Sequence, residues 1–249
     1  MQNSILDLDQ VSVSFDGFYA LTDLDFKLYP GELRSIIGPN GAGKTTFLDV
    51  ITGKVKPTKG SVKLRGKSII GLSEQKISRM GVGRKFQTPR VWENLTVQRN
   101  LELTASPTKT PWALLTKSLS SVVREEVFKI MEYVGLAPYA KLQAGSLSHG
   151  QKQWLAISML VAQSPDIILL DEPVAGLTDD ETSKTADLIK SLAGEHTVVV
   201  IEHDMEFIRD LGAPETELHK GQKMNEGTLE EVKRDPRVIE VYLGQTDEH

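Results

Sequence analysis

The chain has 249 residues, 39% of them apolar and 25% charged, the balance of an ordinary globular protein. A formal net charge of −5 argues against non-specific nucleic-acid binding, which needs a basic face, and the lack of cysteine excludes disulfides and cysteine-based zinc sites. The longest aliphatic runs, such as residues 167–170, are strand-sized, so any work at a membrane must go through a partner.

Residues 5–8, 11–15 and 24–28 alternate as short strands do, with turn signals at Asp16-Gly17 and Pro30-Gly31. Residues 33–37 read as a further strand. It leads into Gly38-Pro39-Asn40-Gly41-Ala42-Gly43-Lys44-Thr45-Thr46, which fits the phosphate-binding loop G-x-x-x-x-G-K-[ST]. Residues 46–51 then read as a helix stopped at Gly53. Strand, glycine loop and helix form the context that the motif needs. The glycines let backbone N–H groups approach phosphate oxygens, and the helix N-terminus adds unpaired donors and a positive dipole end. Lys44 is expected to reach the β- and γ-phosphates, and the Thr45 hydroxyl to hold Mg²⁺.

Lys59-Gly60 precedes another strand at residues 61–64, closed by a turn at Arg65-Gly66. From about residue 95 to 162 the pattern is mostly helical, with Val127, Ile130, Met131 and Val134 at helix spacing and a loop-like segment at residues 106–111. Ser148 and Gln151 form a capping box ahead of a helix with Trp154, Ile157 and Val161 on one face. Alone, this is an ordinary capped helix. Beside a phosphate loop, Leu147-Ser148-His149-Gly150-Gln151 reads as a second phosphate grip, with the Ser148 hydroxyl, the Gly150 N–H and the helix dipole aimed at a γ-phosphate.

Residues 167–170 and 197–201 are fully apolar, as in parallel strands covered on both faces, and residues 181–192 between them read as a helix. The first of these strands delivers Asp171-Glu172-Pro173 at its C-terminal end, where α/β sheets bind ligands. Asp171 is expected to support Mg²⁺ through water, and Glu172 to polarise the attacking water as general base. The whole reads as an α/β core interrupted by a helical insert.

In this order and spacing, the phosphate loop, Leu147 to Gln151, and Leu169-Leu170-Asp171-Glu172-Pro173 resemble the ATP-binding cassette (ABC) family over essentially the whole chain. The resemblance implies a single ATP-binding domain that uses ATP and Mg²⁺. Residues 1–88 and 163–249 would form a P-loop (RecA-like) core with an N-terminal antiparallel β subdomain, and residues 89–162 an inserted α-helical subdomain. Gln87, in Lys85-Phe86-Gln87-Thr88, is similar to the glutamine that touches Mg²⁺ and links core to insert. His203 is similar to the switch histidine at the γ-phosphate, and Phe15 to the aromatic that stacks on adenine. Two positions depart from the family pattern. His149 replaces the first glycine of the signature L-S-G-G-Q, and Thr178 ends Ala175-Gly176-Leu177-Thr178 where aspartate is usual. Thr178-Asp179-Asp180-Glu181 is still a capping box.

Phe86-Gln87-Thr88-Pro89-Arg90-Val91, Ile201-Glu202-His203-Asp204-Met205 and the tail at residues 237–244 resemble importers of branched-chain amino acids and urea. The tail is also similar to that of lipopolysaccharide exporters. Leu147 through Trp154 looks most like the first ATP-binding subunit of urea importers, which makes urea the first reading and branched-chain amino acids the second. Lipopolysaccharide export and a regulatory ATP-binding module follow. The resemblance implies a homodimer or heterodimer with a second cassette, two integral membrane permease subunits, and a periplasmic or extracellular solute-binding protein. It implies no nucleic-acid partner, and a cytoplasmic place on the inner face of the plasma membrane through the permeases. Against the family pattern, Glu215-Thr216-Glu217-Leu218 is acidic where an apolar strand is expected.

Overall fold

A computed structural model describes residues 3–85, 88, 90–105, 121–228 and 231. Strand β1 (Leu6–Phe15) and strand β2 (Phe18–Leu28) form an antiparallel hairpin that pairs Phe15 with Phe18. Asp16 and Gly17 turn the chain with φ of 49° and 88°, the two positive values that a tight hairpin loop requires. The separate strands expected at 5–8 and 11–15 are one strand. Their apparent gap is a register shift between Leu8 and Val11, with Gln10 at φ 50°. Strand β3 (Leu33–Ile37) is followed by helix α1 (Lys44–Ile51), as expected. Strand β4 (Lys59–Leu64) pairs with the other edge of β1, and the short β5 (Lys67–Ser68) pairs with β4.

Helix α2 (Glu74–Arg79) and strand β6 (Val82–Lys85) come next. They were not legible in the sequence, because β6 holds one glycine and two cations and owes its conformation to pairing with β7 (Ile167–Asp171). Among the described residues the second sheet has the order β10-β9-β3-β8-β7-β6, completed by β8 (Thr197–Ile201), β9 (Glu215–His219) and β10 (Gln222–Gly227). Its pairs are parallel except that of β9 with β10. The even apolarity of β7 and β8 follows from their alternation. Ile167, Leu169, Val199 and Ile201 join one core with α1 and the first sheet, while Ile168, Leu170, Val198 and Val200 join another on the opposite face.

The middle of the chain supplies helices α3 (Val97–Ala105), α4 (Ser121–Tyr133) and α5 (His149–Val161). They pack around a third apolar cluster that includes Val97, Leu101, Val127, Met131, Leu136 and Leu155. Helices α6 (Asp179–Leu192) and α7 (Met205–Leu211) cover the second core. Trp154 on α5 touches both the second and the third clusters, and its indole N–H donates to Thr185 Oγ1 on α6 at 2.9 Å. The loop expected at 106–111 and the tail at 237–244 lie outside the described residues.

The acidic segment forms β9 all the same. Ser35, Ile36 and Ile37 pair with Glu215, Thr216 and Glu217, all three of which are buried. Backbone pairing on both edges makes the strand, and Arg34 of β3 supplies a buried cation beside it. The Arg34 guanidinium donates to Thr216 Oγ1 at 2.9 Å, pairs with Glu32 and Glu226, and lies 5.8 Å from the Phe26 ring centre.

Candidate functional site

The phosphate loop leaves the C-terminal end of β3 and is closely packed. A Cβ on Gly38 would lie 2.1 Å from the Leu218 carbonyl, and one on Gly43 would lie 2.6 Å from that of Ala20 on β2. Gly43 caps α1 at φ 100° with no side chain among the described residues bonded to the cap, and the first turn of α1 carries no acidic residue. Its leading N–H groups and dipole are thereby left to an anion. Lys44 folds back, and its ammonium donates to the carbonyls of Gly38 and Pro39. Burial lowers the Lys44 pKa, while Glu172, Asp171 and Glu202 pull it back up. Ala42 is buried and Thr45 is exposed.

At the end of β7, Asp171 Oδ2 accepts from Arg84 Nη2 at 2.8 Å, and Arg84 Nη1 donates to Asp49 on α1 at 2.5 Å. Glu172 stands at φ 44°, a left-handed conformation that costs a non-glycine residue about 1–2 kcal/mol. Its N–H bonds the Ile201 carbonyl at 2.9 Å, which aligns the ends of β7 and β8. Glu172 Oε1 lies 3.6 Å from His203 Nδ1, and the His203 side chain is largely exposed. The buried Glu202 carboxylate accepts from the Val174 and His203 amides, each at 3.1 Å. Burial raises the Glu202 pKa, and those two hydrogen bonds oppose the rise.

The hairpin of β1 and β2 runs beside the loop, since Ala20 and Leu21 flank Gly43. Phe15, at the end of β1, is 48% exposed, which fits a stacking platform better than core. Gln87 lies outside the described residues. Among those residues, no cluster of three or more histidine, cysteine or carboxylate side chains is built to hold a metal ion. The Thr45 hydroxyl and the Asp171 carboxylate fit a hard cation that takes its other oxygens from phosphate and water.

Ser148 caps α5 with the expected box: its Oγ accepts from the Gln151 N–H at 3.2 Å, and Gln151 Oε1 accepts from the Ser148 N–H at 3.0 Å. Thr178 and Glu181 form the matching box on α6. The two caps touch. Ser148 Oγ is 3.5 Å from Glu181 Oε1, and a Cβ on Gly150 would lie 2.3 Å from the same oxygen. His149 Nε2 lies 3.2 Å from the Ala175 carbonyl, a contact that calls for the Nε2–H tautomer. The two departures from the family pattern therefore meet at one seam. Ser148 and Gln151 line a cavity of about 660 Å³ with Trp154, Glu181 and Lys184, and no phosphate-loop residue borders it.

The fold thus brings Lys44, Asp171, Glu172 and His203 together at the C-terminal ends of β3, β7 and β8, while the Ser148 group borders a different cavity. The sequence carries no warning of Arg84 or Asp49, and it marks Glu181 as a cap of its own helix but not as a neighbour of Ser148 and Gly150. Glu202 had a faint signal, its position next to His203.

A family model for the ABC transporter matches residues 21–175. The chain is 35% identical to the high-affinity branched-chain amino acid transport ATP-binding protein LivG of Escherichia coli, over 98% of this chain and all of that one. This chain belongs to the ABC transporter family. As an ABC transporter ATP-binding domain it is an ATPase that binds nucleotide. Its P-loop core, antiparallel β subdomain and helical subdomain are those of the ABC cassette. The ADP conformation of MJ1267, an ATP-binding cassette of an ABC transporter, matches with TM-score 0.83 and 30% identity over 98% of this chain and 100% of that one. A dimeric structure of MJ0796, a bacterial ABC transporter cassette, matches with TM-score 0.75 and 28% identity over 90% and 98%. A model for the branched-chain amino acid ATP-binding cassette transporter also matches residues 226–248. These ABC relatives favour branched-chain amino acids over urea, reversing the order in which the sequence alone ranks the two solutes. No helix among the described residues is long and apolar enough to cross a membrane.

Proposed function

We propose that this chain hydrolyses Mg-ATP to drive an importer of branched-chain amino acids, as one of two cassettes beneath a pair of membrane permeases. The observation that carries the reading is the convergence of Lys44 with Asp171, Glu172 and Glu202, and of Glu172 with His203, at the ends of β7 and β8. The loop amides hold the phosphates, joined by Lys44 once it leaves the Gly38 and Pro39 carbonyls. Phe15 stacks on adenine. Thr45, Asp171 and Gln87 would hold Mg²⁺, which supplies charge neutralisation at the phosphates. Glu172 orients water and takes its proton, and His203 holds the γ-phosphate.

Ser148 and Gly150 serve the nucleotide of the opposite cassette, so two chains meet head to tail about a two-fold axis. The opposite half is a second copy or a homologous cassette. A solute-binding protein joins through the permeases, which hold the chain at the cytoplasmic face of the plasma membrane. Residues 89–162 form the subdomain that meets the permeases. Glu172→Gln is expected to keep ATP binding, lower phosphate release at least about 100-fold and trap an ATP-dependent dimer. Near-normal turnover in that variant would remove Glu172 from the general-base role.

Urea remains the second reading, favoured by the segment from Leu147 to Trp154 with its His149. ATPase activity of the chain reconstituted with its permeases and binding protein separates the two. Stimulation by leucine, isoleucine or valine supports the first, and stimulation by urea alone the second.

A further inference from the structure

Arg84 has no part in the chemistry above, yet it is the side chain that reaches from the phosphate-loop helix to the carboxylate at the end of β7. Its side chain is only 6% exposed. Nη1 donates to Asp49 Oδ1 on α1 at 2.5 Å, and Nη2 donates to Asp171 Oδ2 on β7 at 2.8 Å. Asp49 also receives Lys54 Nζ at 3.1 Å. A guanidinium presents its donors in a rigid planar plane, so fixing one carboxylate fixes the direction offered to the other. Arg84 engages Oδ2 and leaves the other Asp171 oxygen, Oδ1, out of that contact. Burying three charged groups has a high desolvation cost, and an arrangement in which each group meets an opposite charge at hydrogen-bond distance offsets that cost.

We infer that Arg84 is a positioning residue for the ATPase reaction. It holds the Asp171 carboxylate in the orientation that receives Mg²⁺ at the nucleotide, and through Asp49 it ties that orientation to the helix behind the phosphate loop. The inference rests on the reading of Asp171 as the metal-site carboxylate. A partner that orients a metal-binding group from behind typically contributes 10–100-fold to metal affinity.

The test is binding rather than turnover. Affinity for a fluorescent ATP analogue is measured with and without Mg²⁺, and Mn²⁺ binding to the ATP-loaded protein is followed by electron paramagnetic resonance. The proteins are Arg84→Lys, Arg84→Met with Asp49→Asn, and Asp171→Asn. The double variant leaves no unpaired charge at Asp49, so it guards against simple misfolding, and its melting temperature is recorded alongside. In both Arg84 variants, Mn²⁺ affinity is expected to fall about tenfold while metal-free ATP affinity stays within about twofold of wild type. Lysine is a point charge and cannot hold both carboxylates in the same fork. Wild-type Mn²⁺ affinity in the folded double variant overturns the inference. So does an equal loss of ATP affinity with and without metal, the mark of a merely structural role. Asp171→Asn separates the two readings. If it leaves Mn²⁺ affinity intact, the metal-site reading itself fails. If it weakens Mn²⁺ binding while both Arg84 variants do not, only the positioning role fails.

Discussion

Lys85, beside Arg84 on β6, is a buried lysine that shares one acidic neighbour with it, Asp171. Burial lowers its pKa to about 8, against the upward pull of Asp171 and Glu202. The native state therefore releases this proton near pH 8, while the unfolded chain keeps it to the ordinary value of 10.5. Between those limits the unfolded state binds more protons, so this group's contribution to stability rises with pH, by at most about 3 kcal/mol. Urea unfolding of wild type and Lys85→Met across pH 7 to 11 measures it. The wild-type curve should gain on the variant above pH 8, and parallel curves would mean that Lys85 does not titrate as argued. Such residue-scale features were the least legible in the sequence. The motif residues Lys44, Asp171 and Glu172 announce themselves in short patterns. The Arg84 contacts join positions 35 and 87 residues apart, with no periodicity to mark them.

Elements set by local chemistry were easier to read than elements set by neighbours. Both capping boxes are visible because the pairing residues lie one helical turn apart, and both form. Charged residues hid strand β6 and made β9 look wrong for a strand; β6 takes its conformation from pairing with β7, and β9 from β3 and β10 on either side. What no local reading conveys is that the two boxes share Glu181. A Cβ at Gly150 would displace that carboxylate, so Gly150→Ala is expected to destabilise the fold by about 1 kcal/mol, the usual worth of a cap. In a Glu181→Ala background the same substitution should be nearly neutral. Urea midpoints for the four proteins of this cycle check it, and equal costs in both backgrounds would separate Gly150 from the α6 cap. His149 extends the seam to the Ala175 carbonyl, which gives the altered signature a structural reason.

At the scale of the molecule, the insert has its own apolar cluster and presents an exposed aromatic next to it. Trp92 is 49% exposed, while its backbone N–H and carbonyl are both held by the buried Asn100 side chain, at 2.8 and 3.0 Å. It is an exposed ring on a fixed backbone. Trp92→Glu should therefore leave stability within about 0.5 kcal/mol of wild type. ATPase activity of the free chain should persist, while stimulation by the reconstituted permeases is lost. Equal loss of both activities would assign Trp92 to folding instead.

Trp154 stands where the insert's cluster meets the second core, with its indole bonded to Thr185. A chain with three tryptophans thus carries a spectroscopic probe at the joint between insert and core. A rotation of α5 against α6 that broke the bond to Thr185 would give the indole nitrogen to water and shift the emission to longer wavelength. With Trp92 and Trp112 replaced by phenylalanine, the remaining fluorophore would report whether nucleotide opens that joint, in solution, in real time and without an attached dye.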